Sequence, residues 1–596
     1  MLIQNISDLA SILIHARCIY EADTKRFQNN YINIRKGEFP LKMTGAEMIV
    51  KIMEENGVKT VFGYPGAANC PIIDKLSFSG IKHILTRNEQ GAAHMASGYA
   101  RVTKEVGVCT ATSGPGATNL ITGLGTAYMD SIPMVALTGQ VGVNLIGRDA
   151  FQEVDITGAT LPVTKHSYLI KDGMDIPRVV NEAFYIAKTG RPGPVLIDFP
   201  MDILKKEYDY PEETPQINIR GYKPFTKANE SQIKRVADAI KESKKPVILA
   251  GGGLVISDAI DEIRTLVNST DIPVVATMMG IGAIPVDDPH YCGMIGSHGF
   301  KRSNITLNKA DTVIIMGSRL GDRTVARADN LEKSKKVVHI DIDPAEIGKN
   351  AQPDIPIVGD LKAVITSLIP LMTGYKASKE WIDEVNQIQN DYREEVRTDD
   401  YGTINPKYFM QKLAQMTNSD IYVATEVGQN QIWAANYFNY QHPRNLLTSG
   451  GFGTMGYGLP AAIGAASVAD KPVVSIMGDG SFQMDLPELG TMCQWGIPVK
   501  MVVFKNDRLG MVHEHQYLLY KSNYQAVDLD GSPDFNKLAE AYGIPSGHIS
   551  ENSEIEAGIN ALMNAEGSYL LVVDVSPYEP TGGALNENLL TKKEVK

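Results

Sequence analysis

The sequence predicts an α/β protein built from three parallel-sheet units, on three observations. Short apolar runs alternate with helical stretches along most of the chain, the pattern of strands joined by crossover helices. Those runs end in glycine- or proline-bearing turns, as in Val61-Phe62-Gly63-Tyr64-Pro65-Gly66 and in Val473-Val474-Ser475-Ile476-Met477-Gly478-Asp479-Gly480. The length, 596 residues, accommodates three or four domains at roughly 150 residues each.

The first unit is expected over 43–210. Thr44 caps an expected helix running to Glu55, and strands are expected at 61–66, 81–85, 108–112 and 134–139. Residues 208–227, with Pro211, Pro215 and Pro224, read as an extended linker. The second unit, 228–372, has strands at 246–250, ahead of Gly251-Gly252-Gly253, at 312–317 and at 337–343. A polar helical stretch at 379–397 leads to the third unit, 400–580. Residues 1–42 form an N-terminal extension of unknown role, either an appendage or a segment ahead of a natural start at Met43. Their apolar run 9–14 lacks the basic leader and small-residue cleavage site of a signal peptide.

Composition excludes some function classes. The net charge of −12 argues against a nucleic-acid partner, which would favour a basic patch. No run of about 18 apolar residues exists to cross a membrane. Five cysteines (Cys18, Cys70, Cys109, Cys292, Cys493) without CxxC pairing read as reduced thiols of a cytoplasmic protein.

The strongest chemical signal is in the third unit. One strand ends in Gly478-Asp479-Gly480-Ser481, and the next, 499–504, ends at Asn506. Asp479 and Asn506 therefore lie at the carboxyl ends of two strands joined by one crossover, where open parallel sheets bind ligands. A carboxylate and an amide carbonyl are hard oxygen donors, suited to Mg²⁺ that shares its shell with phosphate oxygens. The flanking glycines let the backbone approach a diphosphate. A GDGS turn by itself is a common β-turn; Asn506 at an offset of 27 residues makes the pattern similar to the thiamine-diphosphate (ThDP) motif. That resemblance adds the backbone carbonyl of Arg508 as a third metal donor.

Glu89 begins an expected helix after the strand 81–85, and a small-residue face, Gly91-Ala92-Ala93, follows it. A glutamate at a helix start is ordinarily a solvated partner of the helix dipole. ThDP, however, needs a carboxyl group at its aminopyrimidine to reach its reactive form, and the protein must supply it.

From about Met43 to Ile549 the chain resembles the catalytic large subunit of acetohydroxyacid synthase (acetolactate synthase). The runs that carry the resemblance are Glu89-Gln90-Gly91-Ala92-Ala93-His94-Met95, Thr112-Ser113-Gly114-Pro115-Gly116-Ala117-Thr118-Asn119, Asp130-Ser131-Ile132-Pro133 and Asp149-Ala150-Phe151-Gln152-Glu153. Further runs are Gly190-Arg191-Pro192-Gly193-Pro194, His339-Ile340-Asp341-Ile342-Asp343 and Thr448-Ser449-Gly450-Gly451-Phe452-Gly453-Thr454-Met455-Gly456. The resemblance implies three doubly wound parallel-sheet domains: pyrimidine-binding, central FAD-binding-like, and diphosphate-binding. It implies ThDP, Mg²⁺ and FAD as cofactors, with Glu89 activating ThDP and Gln152 beside the reacting centre. Val427, Gly428, Gln429 and Asn430 would hold the diphosphate end together with Gly480, Ser481 and Met511. Gly453, Thr454 and Met455 would shape the bent cofactor. FAD would lie on Arg191, Gly251, Gly252, Gly253, Gly317, Ser318, Arg319, Asp341, Ile342 and Asp360.

The activity implied is decarboxylation of pyruvate and transfer of the two-carbon unit to a second 2-oxoacid, pyruvate or 2-oxobutyrate, in branched-chain amino acid biosynthesis. Arg323 would bind the acceptor carboxylate, for which a guanidinium is suited by bidentate pairing. A homodimer or homotetramer is implied, with a small regulatory subunit as a further partner. Several positions depart from the family pattern: His515 stands for tryptophan, Met201 for lysine, Gly142 for proline, Ser297 for methionine and Asn88 for histidine. These leave the acceptor open. Another ThDP-dependent 2-oxoacid decarboxylase, or a pyruvate oxidase, is the alternative activity; a catalytically idle cofactor-binding partner is an alternative of another class.

Overall fold

The computed structural model describes residues 41–211, 216–224, 226–396 and 402–582. The extension expected over 1–42 lies outside the described residues except for Leu41 and Lys42, and so does part of the expected linker.

Three six-stranded sheets organise the chain, and every strand pair within them is parallel. The first runs, edge to edge, Lys82–Leu85, Thr60–Gly63, Gly107–Ala111, Met134–Gln140, Pro194–Pro200 and His166–Leu169. The third runs Leu446–Leu447, Tyr422–Thr425, Val473–Gly478, Lys500–Lys505, Tyr569–Asp574 and Ser546–Ile549. Counted in chain order these two sheets share one topology, with the second strand outside the first and the fifth outside the sixth. The middle sheet differs: Tyr291–Met294, Val274–Ala276, Pro246–Ala250, Thr312–Met316, Lys336–Asp341, Ile355–Val358. That is the doubly wound dinucleotide-binding order. Strand interiors are continuous apolar runs, Met501 to Phe504 for example, because helices cover both sheet faces.

Local signals explain the helices that matter. Gly45–Glu55 starts where Thr44 and Glu47 form a reciprocal capping box. Glu89–Thr103 starts at Asn88, whose side chain accepts the N–H of Gln90 at 2.8 Å, satisfying one of the orphan donors of a helix start. Its small residues allow it to cross Gly458–Ala466 of the third domain at backbone contact. A Cβ on Gly98 would strike the Ala461 carbonyl, and one on Gly464 would strike the Met95 carbonyl. One apolar cluster consequently runs through the first and third domains, from Phe62 and Ile84 to Leu570 and Val572. No described helix is long and apolar enough to cross a membrane.

Candidate functional site

In the third sheet the chain changes direction between Tyr422–Thr425 and Val473–Gly478, and the turns after these two strands face one crevice. Asp479 is buried there, with its carboxyl pushed up to about 6, chiefly by burial. Its Oδ2 accepts the N–H groups of Asn506 (3.1 Å) and Asp507 (2.6 Å), and its Oδ1 that of Gly480 (2.9 Å). A carboxylate has about four lone-pair sites, so room remains for a cation. Asn506 Oδ1 accepts the N–H of Arg508 at 3.1 Å, so two of the expected donors share the turn that Asp479 binds. Among the described residues no group of three or more His, Cys, Asp or Glu clusters as a metal site. The expected donor set is instead one carboxylate, one amide and one backbone carbonyl, of the hard-oxygen kind that suits Mg²⁺ beside phosphates.

Gly428 heads the helix Gln429–Tyr437 at φ +145°, a conformation L residues avoid. Gln429 and Asn430 are buried and already engaged. Asn430 Nδ2 donates to the carbonyls of Glu426 (3.1 Å) and Ile476 (2.9 Å), tying the two switch-point strands. Gln429 Nε2 donates to Glu514 (2.9 Å) and to the Glu579 carbonyl (3.0 Å). These side chains shape the turn. Ser481 Oγ bonds back to Gly478 (3.1 Å), and a Cβ on Gly510, beside the half-buried Met511, would collide with Gln429 Oε1 and Asn506 Nδ2. Gly453, at φ +70°, borders open space. Thr454 is bound to the first domain through Thr126 Oγ1 at 2.7 Å, and Met455 is half-buried beside it.

The first domain gathers a second constellation at its own switch point. Glu89 Oε2 accepts Asn119 Nδ2 at 2.9 Å, and a Cβ on Gly116 would lie 3.1 Å from Glu89 Oε1. Gln152, at φ +59°, lays its backbone on Gly114, where a Cβ would come within 3.0 Å of its Cα. The turn 113–119 thus stands between Glu89 and Gln152.

In the middle domain a cavity of about 680 Å³ lies within the range of cofactor pockets. Arg191, Gly252, Gly253, Gly317, Ser318, Arg319, Asp341, Ile342, Asp360 and Arg323 all line it. The glycines have separate uses. Gly251, which does not line the cavity, and Gly253 let their turn close on Gly317, whose φ is +66°. Asp341 is buried and pushed up to about 6 by burial. Asp360 caps Leu361–Leu368 through the Ala363 N–H (3.0 Å). Arg191 donates to Ser131 Oγ (2.8 Å) and pairs with Glu346 (2.7 Å), joining first and middle domains. Arg319 reaches Met129 Sδ at 3.6 Å. Arg323 and His515 share a neighbourhood around His298, whose pKa is lowered chiefly by burial, against Glu514, which raises it, with His515 and Arg323 adding to the lowering. Gly142, at φ −55°, keeps a backbone that proline would fit.

Comparison with known proteins decides the relationship. Profiles described as thiamine pyrophosphate enzyme N-terminal TPP binding domain, central domain and C-terminal TPP binding domain match residues 43–159, 233–368 and 426–573. A probable acetolactate synthase large subunit of Methanocaldococcus jannaschii is 45% identical over 562 residues, 91% of this chain and 94% of its own. The acetolactate synthase isozyme 3 large subunit of Escherichia coli is 41% identical over 571 residues, 93% and 99% of the two chains. An acetolactate synthase of Mycobacterium bovis is 46% identical over 515 residues, 84% and 83%. The chain belongs to the acetolactate synthase large-subunit family. The ThDP-binding domains of that family thus coincide with the two switch points described above.

The sequence reading missed a set of carboxylates around these turns. Glu426 is wholly buried and its two oxygens accept the N–H groups of Gly456, Tyr457, Gly458 and Leu459 at 2.7–3.3 Å. Asp485 is buried with Oδ2 unpartnered, and Glu488 bonds the segment ahead of Glu89. Glu514 receives Thr581 Oγ1 at 2.9 Å. Each is a single acid in a helical or turn context, where sequence offers no sign of the partner. The one signal that could have pointed to any of them is Pro487 directly ahead of Glu488, a pairing that favours a helix start.

Proposed function

We propose that this chain is an acetolactate synthase-type carboligase that decarboxylates pyruvate and transfers the two-carbon unit to pyruvate or 2-oxobutyrate, within branched-chain amino acid biosynthesis. What carries the reading is the Asp479–Asn506 turn at the third sheet's switch point, in a chain whose near full-length relatives bear the name acetolactate synthase. ThDP, when bound, supplies the electron sink for decarboxylation and the nucleophile that carries the two-carbon unit.

The residues have divided tasks. Asp479, Asn506 Oδ1 and the Arg508 carbonyl would hold Mg²⁺. The backbone of Val427–Asn430, with Gly480, Ser481 and Met511, would hold the diphosphate. Gly453 would offer its carbonyl to the cofactor's amino group and Met455 its side chain as a support, on a turn that Thr454 fixes to the first domain. Glu89, oriented by Asn119, would be the carboxyl group that serves the pyrimidine. Gln152 lies beside the substrate and Arg323 takes the acceptor carboxylate, with His515 next to it. The middle cavity has the size and the buried Asp341 carboxylate to suit FAD, with nine of the ten residues assigned to it lining the cavity and Gly251 shaping the turn behind. The reaction moves no net electrons, so FAD serves architecture.

The domains are assigned to 43–210, 228–372 and 400–580. A second copy would cover Phe151 and Phe452, exposed on the segments that bear Gln152 and Gly453, which supports a homodimer or a homotetramer built from it. Relatives named large subunit support a small-subunit partner. Four free cysteines among the described residues suit the reducing cytoplasm.

Product analysis tests the reading. Purified chain with ThDP, Mg²⁺, FAD and mixed pyruvate and 2-oxobutyrate is expected to yield acetolactate and acetohydroxybutyrate, with little acetaldehyde and no oxygen uptake. Acetaldehyde as main product would establish a decarboxylase instead, and flavin bleaching with oxygen uptake an oxidase. Glu89→Gln is expected to cut turnover to a small residual rate in a folded protein.

A further inference from the structure

We propose that Glu488, in the diphosphate-binding domain, is a positioning residue for Glu89. Glu488 is fully buried in a helix, Glu488–Trp495, that packs beside the strand Lys82–Leu85. Its Oε1 accepts the backbone N–H of Asn88 at 2.9 Å and that of Arg87 at 3.1 Å, and Oε2 lies 3.2 Å from the Arg87 nitrogen. Thr491 Oγ1 donates to Oε2 at 2.6 Å and holds the carboxylate in place. A Cβ on Gly91 would collide with Oε1, so the first turn of the Glu89 helix is moulded against this one side chain. Arg87 adds a clamp through its guanidinium, which donates to the Gly490 carbonyl (3.3 Å) and Gln494 (2.8 Å).

The mechanical consequence is direct. Glu89 is the first residue of its helix, and its backbone is set by the two residues before it. Both donate their N–H to Glu488 across the domain boundary. Asn88 caps the helix from its own side chain, so Glu488 governs where the helix start sits relative to the diphosphate-binding domain. Displacement of a reacting group by about 1 Å can cost on the order of 100-fold in rate. The role is reached through Glu89, so the inference rests on the assignment of Glu89 as the activating acid.

The test is a double-mutant cycle of Glu488→Ala and Glu89→Gln, in the full chain, with two readouts. The first is the rate of acetolactate formation: Glu488→Ala is expected to lower kcat about 10- to 100-fold with KM for pyruvate little changed. It is expected to add no further loss once Glu89 is Gln, because groups acting as one unit are not additive. The second is amide hydrogen exchange of the chain without cofactor, where Glu488→Ala is expected to speed exchange at 87–92 and leave the strands at 473–478 and 500–505 protected. Glu488→Gln, which keeps a carbonyl oxygen for the Asn88 N–H, is expected to recover part of both. If the losses multiply, or exchange rises evenly across the chain, Glu488 is structural and the proposal fails. If Glu89→Gln alone retains full turnover, the Glu89 assignment itself is what has failed.

Discussion

Asp479 Oδ2 accepts the backbone N–H of Asn506 at 3.1 Å, joining the carboxyl ends of two parallel strands across the crossover between them. One carboxylate therefore closes the turn, and under the proposed function it is also a metal donor. Asp479→Asn keeps an oxygen for the N–H groups but loses the charge. The variant is expected to fold and to bind ThDP more than about 10-fold more weakly when titrated by calorimetry at fixed Mg²⁺. Chelation of Mg²⁺ from the unaltered chain is expected to produce the same loss. An unchanged Mg²⁺ dependence in the variant would remove Asp479 from the donor set.

Asn88 is the cap of the Glu89 helix, with Oδ1 at 2.8 Å from the Gln90 nitrogen. Asn88→Ala is expected to cost roughly 1 kcal/mol, read as a lower urea midpoint for the unfolding step that includes the first domain. Asn88→Ser should cost much less, because serine caps about as well. Asn88→His, the residue usual in the family, is expected to behave like alanine. An unaltered midpoint for both alanine and histidine would show that the cap contributes nothing measurable.

The sheets and the Asp479–Asn506 turn were legible because their signals are local. Apolar runs punctuated by glycine announce parallel strands, and the offset from Asp479 to Asn506 spans one crossover. The Thr44 cap and the small face of the Glu89 helix were legible for the same reason, being choices made within one turn of chain. The acids Glu426, Asp485, Glu488 and Glu514 were not. Glu488 bonds Asn88 across a separation of 400 residues, and Glu426 meets backbone N–H groups 30 to 33 residues on. A backbone donor carries no residue identity, so no pattern in the sequence could name those partners. The same holds for Asp360 and Asn430, whose side chains serve helix and strand ends.

Gly98 and Gly464 bring two helices of different domains into backbone contact at Ala461 and Met95. Neither position has space for a methyl group, and the neighbours in each case are backbone atoms that cannot rotate away. Gly98→Ala and Gly464→Ala are each expected to destabilise by about 1–3 kcal/mol through overpacking. Thermal melting is expected to fall for both, and the pair should be less than additive because one displacement relieves both clashes. Melting at the unaltered temperature would mean that the helices cross with more room than described.

Asp485 offers a pH dependence with a definite sign. Burial, and next the charges of Glu426 and Glu488, push its carboxyl up to about 8, and Oδ2 has no hydrogen-bond partner. The group is neutral in the folded protein near pH 6 and must be forced to ionise above its raised value. In the unfolded chain it titrates near its ordinary 3.8, so the unfolded state binds fewer protons between these values. Its contribution to stability is therefore whole below about pH 4 and is lost as pH rises through about 8. Glu426, pushed to about 7 by burial, adds to the same slope. Asp485→Asn has nearly the shape of the protonated acid and cannot ionise. It is expected to melt above the unaltered protein by a margin that is small at pH 5 and larger at pH 9, measured in parallel scans at constant ionic strength. Equal shifts at both values would place the ionisation of Asp485 elsewhere.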